Sequence, residues 1–140
     1  MGVPVVVIKI GERGLYLCTA GRKAIEKIGR AAPVDPAAWA EKELWTPCFR
    51  VRVVGTTGAG DATIAGFLSA VLRDLSPELA VTAAVAVGAC NVEAADALTG
   101  LRTWDETLDR IHADWGRLPL HLDDPAWRWD QSDQLWRRGR

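Results

Sequence analysis

Val54-Gly55-Thr56-Thr57-Gly58-Ala59-Gly60-Asp61-Ala62-Thr63-Ile64-Ala65-Gly66-Phe67-Leu68 is the stretch on which the fold turns. Gly55, Gly58 and Gly60 crowd together. Ile64, Phe67, Leu68 and Val71 then recur at spacings of three and four, the period of a helix with one apolar face. Ala62, Ala65, Gly66 and Ala70 on that helix are small enough for close packing on a sheet. Upstream, Phe49-Arg50-Val51-Arg52-Val53 alternates apolar and basic residues, which predicts a half-exposed strand. A strand, a glycine loop and a helix in that order aim backbone N–H groups and a helix N-terminus at one spot. Such a spot binds anions, phosphate in particular. Glycine suits the loop because the backbone must approach a ligand closely and can take positive φ.

Three phosphate motifs compete for this loop. Gly55 and Gly60 have the separation of a Walker A loop, but Asp61-Ala62 follows where Lys-Ser/Thr is needed, so that reading falls. Gly58 and Gly60 begin a dinucleotide fingerprint, but Thr63 stands in the third glycine's place, and the later acidic residue on a strand is not evident. The third reading uses Asp61. A carboxylate in the first helical turn, beside amides that hold a transferring phosphoryl group, can accept a proton from an incoming hydroxyl. The bland alternative is an N-cap aspartate after a tight turn.

The rest of the chain supplies the setting. Residues 3–8 form a β-branched run suited to a strand buried on both faces, as in a parallel sheet under helices. Gly11 and Gly14 bracket a turn, and Leu15-Tyr16-Leu17-Cys18 reads as a second strand, so residues 3–19 predict a hairpin. Asp35 before Pro36 starts a short helix. Ser76-Pro77-Glu78 opens a long Ala/Val-rich helix reaching to about residue 95, and Thr103 with Glu106 forms a capping box for another. Trp104, Leu108, Ile111 and Trp115 make a stripe that belongs to a core. The pattern is α/β with about three strands, too few for a whole sheet of this class, so the chain reads like one end of a larger domain.

Composition narrows the function. At 140 residues the chain suits one domain, and its formal net charge of −1 gives no global attraction to nucleic acid or anionic membrane. No apolar run approaches a bilayer span, and the N-terminus lacks the pattern of a secretory signal, so a cytoplasmic location is expected. Cys18, Cys48 and Cys90 form no CxxC pair and read as reduced thiols. His112 and His121 have no partner at metal or triad spacing, and no metal site is predicted. Residues 116–140 read as an irregular tail. Trp127, Trp129 and Trp136 there interleave with Arg128, Arg137 and Arg138, but Asp123, Asp124, Asp130 and Asp133 nearly cancel the charge, against a single-stranded nucleic-acid platform.

The string from Val54 to Leu68 resembles the C-terminal signature of the ribokinase (PfkB) family of carbohydrate kinases. Val7-Ile8-Lys9-Ile10-Gly11-Glu12-Arg13-Gly14 is similar to the family's strand and G-x-x-G turn at the nucleotide site, and residues 85–91 look like the helix flanking the adenine. The resemblance covers roughly residues 3–112 and implies a ribokinase-like, partial three-layer α/β/α fragment, with residues 3–115 as the C-terminal part of the kinase domain. It implies transfer of a phosphoryl group from ATP with Mg²⁺ to a sugar-type hydroxyl. By position, Asp61 matches the base, and Gly58, Ala59 and Gly60 match the anion hole. Thr56 and Thr57 fall near the β- and γ-phosphates. Gly11, Gly14 and Lys9 line the nucleotide cleft, and Asn91 is placed to reach adenine or ribose. Gly55 stands where K⁺-dependent members carry Asp or Asn, which puts K⁺ activation in question, and Ala94-Ala95-Asp96-Ala97 replaces the family's Pro-Gly-Ala. The family's N-terminal half, with the sugar contacts and a lid, has no counterpart here. That leaves open a complementing N-terminal half, a homo-oligomer, the product of a split gene, or a truncated non-catalytic nucleotide-binding module.

Overall fold

The structure, a computed structural model, describes residues 2–139. Strands β1 (Val5–Lys9), β2 (Leu15–Thr19) and β3 (Glu43–Thr46) form an antiparallel meander, and helices α1 (Arg22–Glu26) and α2 (Pro36–Trp39) lie in the connection between β2 and β3. Helices α3 (Ala59–Val71), α4 (Pro77–Asn91) and α5 (Trp104–His112) follow, and β4 (Trp127–Asp130) and β5 (Leu135–Arg138) close the chain. The sheet order is β1-β2-β3-β5-β4, with every neighbouring pair antiparallel.

The predicted hairpin is present, and its register pairs Val7 with Leu17. The doubly buried parallel strand is not: β1 is an edge strand, and Val6 and Ile8 are exposed on it. The predicted strand at residues 49–53 reduces to one bridge, Phe49 to Arg117. The tail is not irregular throughout, because β4 and β5 form a hairpin whose second strand pairs with β3.

Helix α4 is the hub. Ala80, Val81, Ala83, Ala84 and Ala86 are fully buried, and the helix packs on β2, β3 and α3. Its small side chains permit this. A Cβ on Gly66 of α3 would stand 2.9 Å from the Val87 side chain, so α3 and α4 meet at a distance only glycine allows. Leu15, Leu17, Leu44 and Leu135 complete the core from the strands. The expected starts of both later helices are found. Ser76 caps Leu79 N–H, and Thr103 and Glu106 make the capping box. α4 ends at Asn91, short of residue 95. Trp104, Ile111 and Trp115 pack on the core as the stripe predicts. The sheet's other face carries Tyr16, Trp45 and Trp127 in edge-to-face contact.

Candidate active site

The glycine loop runs straight into α3. Gly58 is the N-cap residue, in the left-handed region at φ 76°, and Ala97 sits where its Cβ would go, 2.8 Å away. Asp61 therefore falls in the first turn rather than at the cap, and no side chain caps this helix end. The N-cap alternative for Asp61 does not hold. Its carboxylate is exposed. Ala59 N–H is already used, donating to Thr56 O at 3.2 Å. Among the described residues no backbone carbonyl accepts from the N–H groups of Gly58, Gly60 or Asp61. Those three amides remain for an anion at the positive end of a 13-residue helix.

Lys9, at the end of β1, lies across Gly60: a Cβ there would meet Lys9 Nζ at 2.6 Å. The absent side chain of Gly60 is what lets the ammonium reach the helix start. A cavity of about 440 Å³ opens beside it and brings together Lys9, Gly11, Gly14, Thr56 and Gly60 of the predicted site residues. Thr57 is exposed and does not line it. Most of the remaining lining is apolar and includes Val51, Val53, Val85, Ala89, Val92 and Leu118. Sequence reasoning placed residues 85–91 beside the nucleotide and missed Val51, Val53, Val92 and Leu118. The alternation at residues 49–53 was the available signal, since Val51 and Val53 face the cavity. Cys48 joins the wall, its thiol bonded to Gly11 O at 3.4 Å and pushed up by burial.

Asn91 is elsewhere. It is buried behind the loop, and its Nδ2 donates to Ala97 O at 2.7 Å. It holds residues 94–97 against the glycine loop rather than facing the cavity. The two departures from the family pattern also touch each other. A Cβ on Gly55 would stand 2.8 Å from Ala94 O and 2.9 Å from Ala95 O, so the unusual glycine and the unusual alanine segment fit as a pair. An acidic side chain at position 55 has no room. Among the described residues no cluster of three His, Cys, Asp or Glu is arranged to hold a metal ion, and no helix is long and apolar enough to cross a membrane.

The sequence and fold have known counterparts. Residues 1–104 match the model of the pfkB family carbohydrate kinases. The nucleoside kinase of Methanocaldococcus jannaschii is 36% identical over 72 residues, which are 51% of this chain and 24% of that protein. The crystal structure of M. jannaschii nucleoside kinase, an archaeal member of the ribokinase family, superposes with a TM-score of 0.60 at 26% identity, over 78% of this chain and 30% of its own. Aminoimidazole riboside kinase from Salmonella enterica, solved with aminoimidazole riboside and an ATP analogue, gives 0.55 at 30% identity over 77% and 31%. Ribokinase from Thermotoga maritima shares the fold, with a TM-score of 0.59 at 24% identity, over 79% and 31%. The chain thus spans about a quarter to a third of the length of these relatives. By the family match over most of its length, the chain belongs to the pfkB family of carbohydrate kinases.

Proposed function

We propose that the chain supplies the donor-binding and phosphoryl-transfer half of a carbohydrate kinase site, acting on ATP and a sugar or related hydroxyl. One observation carries this: the unpaired amides of Gly58, Gly60 and Asp61 at the start of α3, beside the exposed Asp61 carboxylate and the cavity lined by Lys9 and Thr56. The substrate hydroxyl oxygen attacks the γ-phosphorus, its bond to the β-phosphate oxygen breaks, and ADP leaves. Asp61 takes the hydroxyl proton, and the amides meet the charge on the transferring group. Lys9 and Thr56 fit the phosphates of the donor. Mg²⁺ would arrive with the nucleotide and neutralise phosphate charge. K⁺ activation is not expected, because Gly55 leaves no space for an acidic ligand.

The test is sugar-dependent ADP release. Asp61→Asn is expected to lower turnover ~10²–10⁴-fold with nucleotide binding kept, the usual loss for a general base. A change within a few-fold would remove Asp61 from that role. A second reading is a nucleotide-binding module without catalysis. Calorimetric titration with ATP–Mg²⁺ on this chain, paired with the release assay, separates the two. Binding without sugar-dependent release supports the module, and release by the purified chain excludes it.

A further inference from the structure

We propose that Leu118, on a segment beyond the family-matched residues, forms a wall of the pocket for the donor's nucleobase, and that the C-terminal hairpin holds that wall in place. The inference rests on the donor reading above and adds a residue and an element to it. The family match ends at residue 104, whereas Leu118 lines the cavity with Val85, Ala89, Val92, Val51 and Val53. That apolar lining suits a flat uncharged ring, and Lys9 and Gly60 in the same cavity suit phosphate. The cavity therefore offers an apolar wall and a cationic group to one nucleotide.

Leu118 is fixed by three sets of contacts. First, residues 116–118 pair with 48–50: Leu118 N–H donates to Cys48 O at 2.8 Å and Arg50 N–H to Gly116 O at 2.7 Å, around the Phe49–Arg117 bridge. Alternation along this extended segment sends Leu118 and Arg117 to opposite sides. Arg117 bonds Pro47 O at 3.0 Å and reaches Thr82 of α4, leaving Leu118 for the cavity. Second, four side chains stack in one column. The Arg117 guanidinium lies 3.7 Å from the Phe49 ring, Phe49 stacks on Trp115 at 4.2 Å, and the Arg110 guanidinium lies 3.7 Å from Trp115. Arg110 is then tied to Glu93 by bonds of 2.5 and 2.7 Å, one residue from Val92 of the cavity wall. Third, the hairpin secures the far side. Trp136 Nε1 donates to Leu120 O at 3.1 Å, and Arg137 pairs with Glu78 of α4 at 2.7 Å.

The experiment is calorimetric titration of the full chain with ATP–Mg²⁺ and with tripolyphosphate–Mg²⁺. Leu118→Trp, which fills space along the apolar wall, is expected to raise the ATP dissociation constant at least about tenfold while changing that for tripolyphosphate less than about threefold. Leu118→Ala is expected to raise the ATP value by about 5- to 30-fold, the loss of most of a buried leucine contact. Circular dichroism and thermal melts establish that each variant is folded, and if Leu118→Trp does not fold, Leu118→Ala decides. Wild-type affinity for ATP in a folded variant overturns the proposal and leaves the donor reading intact. So does loss of ATP and tripolyphosphate binding together, which would place Leu118 outside a base pocket. Failure of the wild-type chain to bind ATP overturns both.

Discussion

Gly14 turns the chain into β2 at φ 91°, under the Thr46 carbonyl, and a Cβ there would come within 1.9 Å of that oxygen. Gly14→Ala is therefore expected to destabilise the chain by ~2 kcal/mol or more, from backbone strain and a collision that only strand movement relieves. Urea denaturation measures it. Gly60→Ala is a different experiment. Gly60 is helical, and its Cβ would meet the far end of the long Lys9 side chain. Stability is expected to hold or rise by ~0.5–1 kcal/mol from helix propensity, while ATP binds more weakly because the ammonium is displaced. Urea melts and ATP titration on the same variant read the two effects separately. Asn91 illustrates the limit of reading single residues. The family resemblance pointed it at the nucleotide, but its partner is Ala97 O, and nothing local to Asn91 announces where that carbonyl folds.

At the scale of elements, α5 is tied to the end of α4 through Arg110 and Glu93. The Arg110 bonds hold the Glu93 carboxyl below its ordinary range, outweighing partial burial. A carboxylate depressed in the folded state stabilises the fold above its unfolded pKa of about 4.3, and that contribution fades as pH falls through the folded value. Melting temperature is thus expected to fall less steeply below pH ~4.5 in Glu93→Gln than in wild type, from a lower starting point at neutral pH. Helix starts were legible because caps are local: Ser76 and Thr103 satisfy amides three residues away. α3 was legible through its glycines and its period. The β4–β5 hairpin was not, because Arg137 on its inward side reads as exposed until Glu78, 59 residues earlier in the chain, pairs with it. Residues 49–53 misled for the opposite reason. Their alternation is real, but Val51 and Val53 face a cavity and, among the described residues, no further strand pairs there.

For the whole molecule, the antiparallel sheet is bounded on one side by β1, whose outer edge pairs with nothing among the described residues. Val6 and Ile8 are 37% and 48% exposed on that strand, and Val3 just before it is 69% exposed. Unprotected apolar edges recruit other strands. Ile8→Lys is expected to shift the purified chain toward a smaller assembly in sedimentation velocity with its far-UV spectrum unchanged, and an identical sedimentation profile would show that this edge does not drive association. The sequence suggested about three strands; the sheet has five among the described residues, because the β4–β5 hairpin was not anticipated.

The column of Arg110, Trp115, Phe49 and Arg117 has an optical consequence. Phe49 and Arg117 also border a second cavity of about 380 Å³, and Phe49 lines both this cavity and the one beside Lys9. An indole clamped between a benzene ring and a guanidinium has an emission sensitive to the spacing on either side. Occupancy of either cavity is expected to alter Trp115 fluorescence, with Trp115→Phe removing the response, so the chain carries its own dye for following ligands in real time.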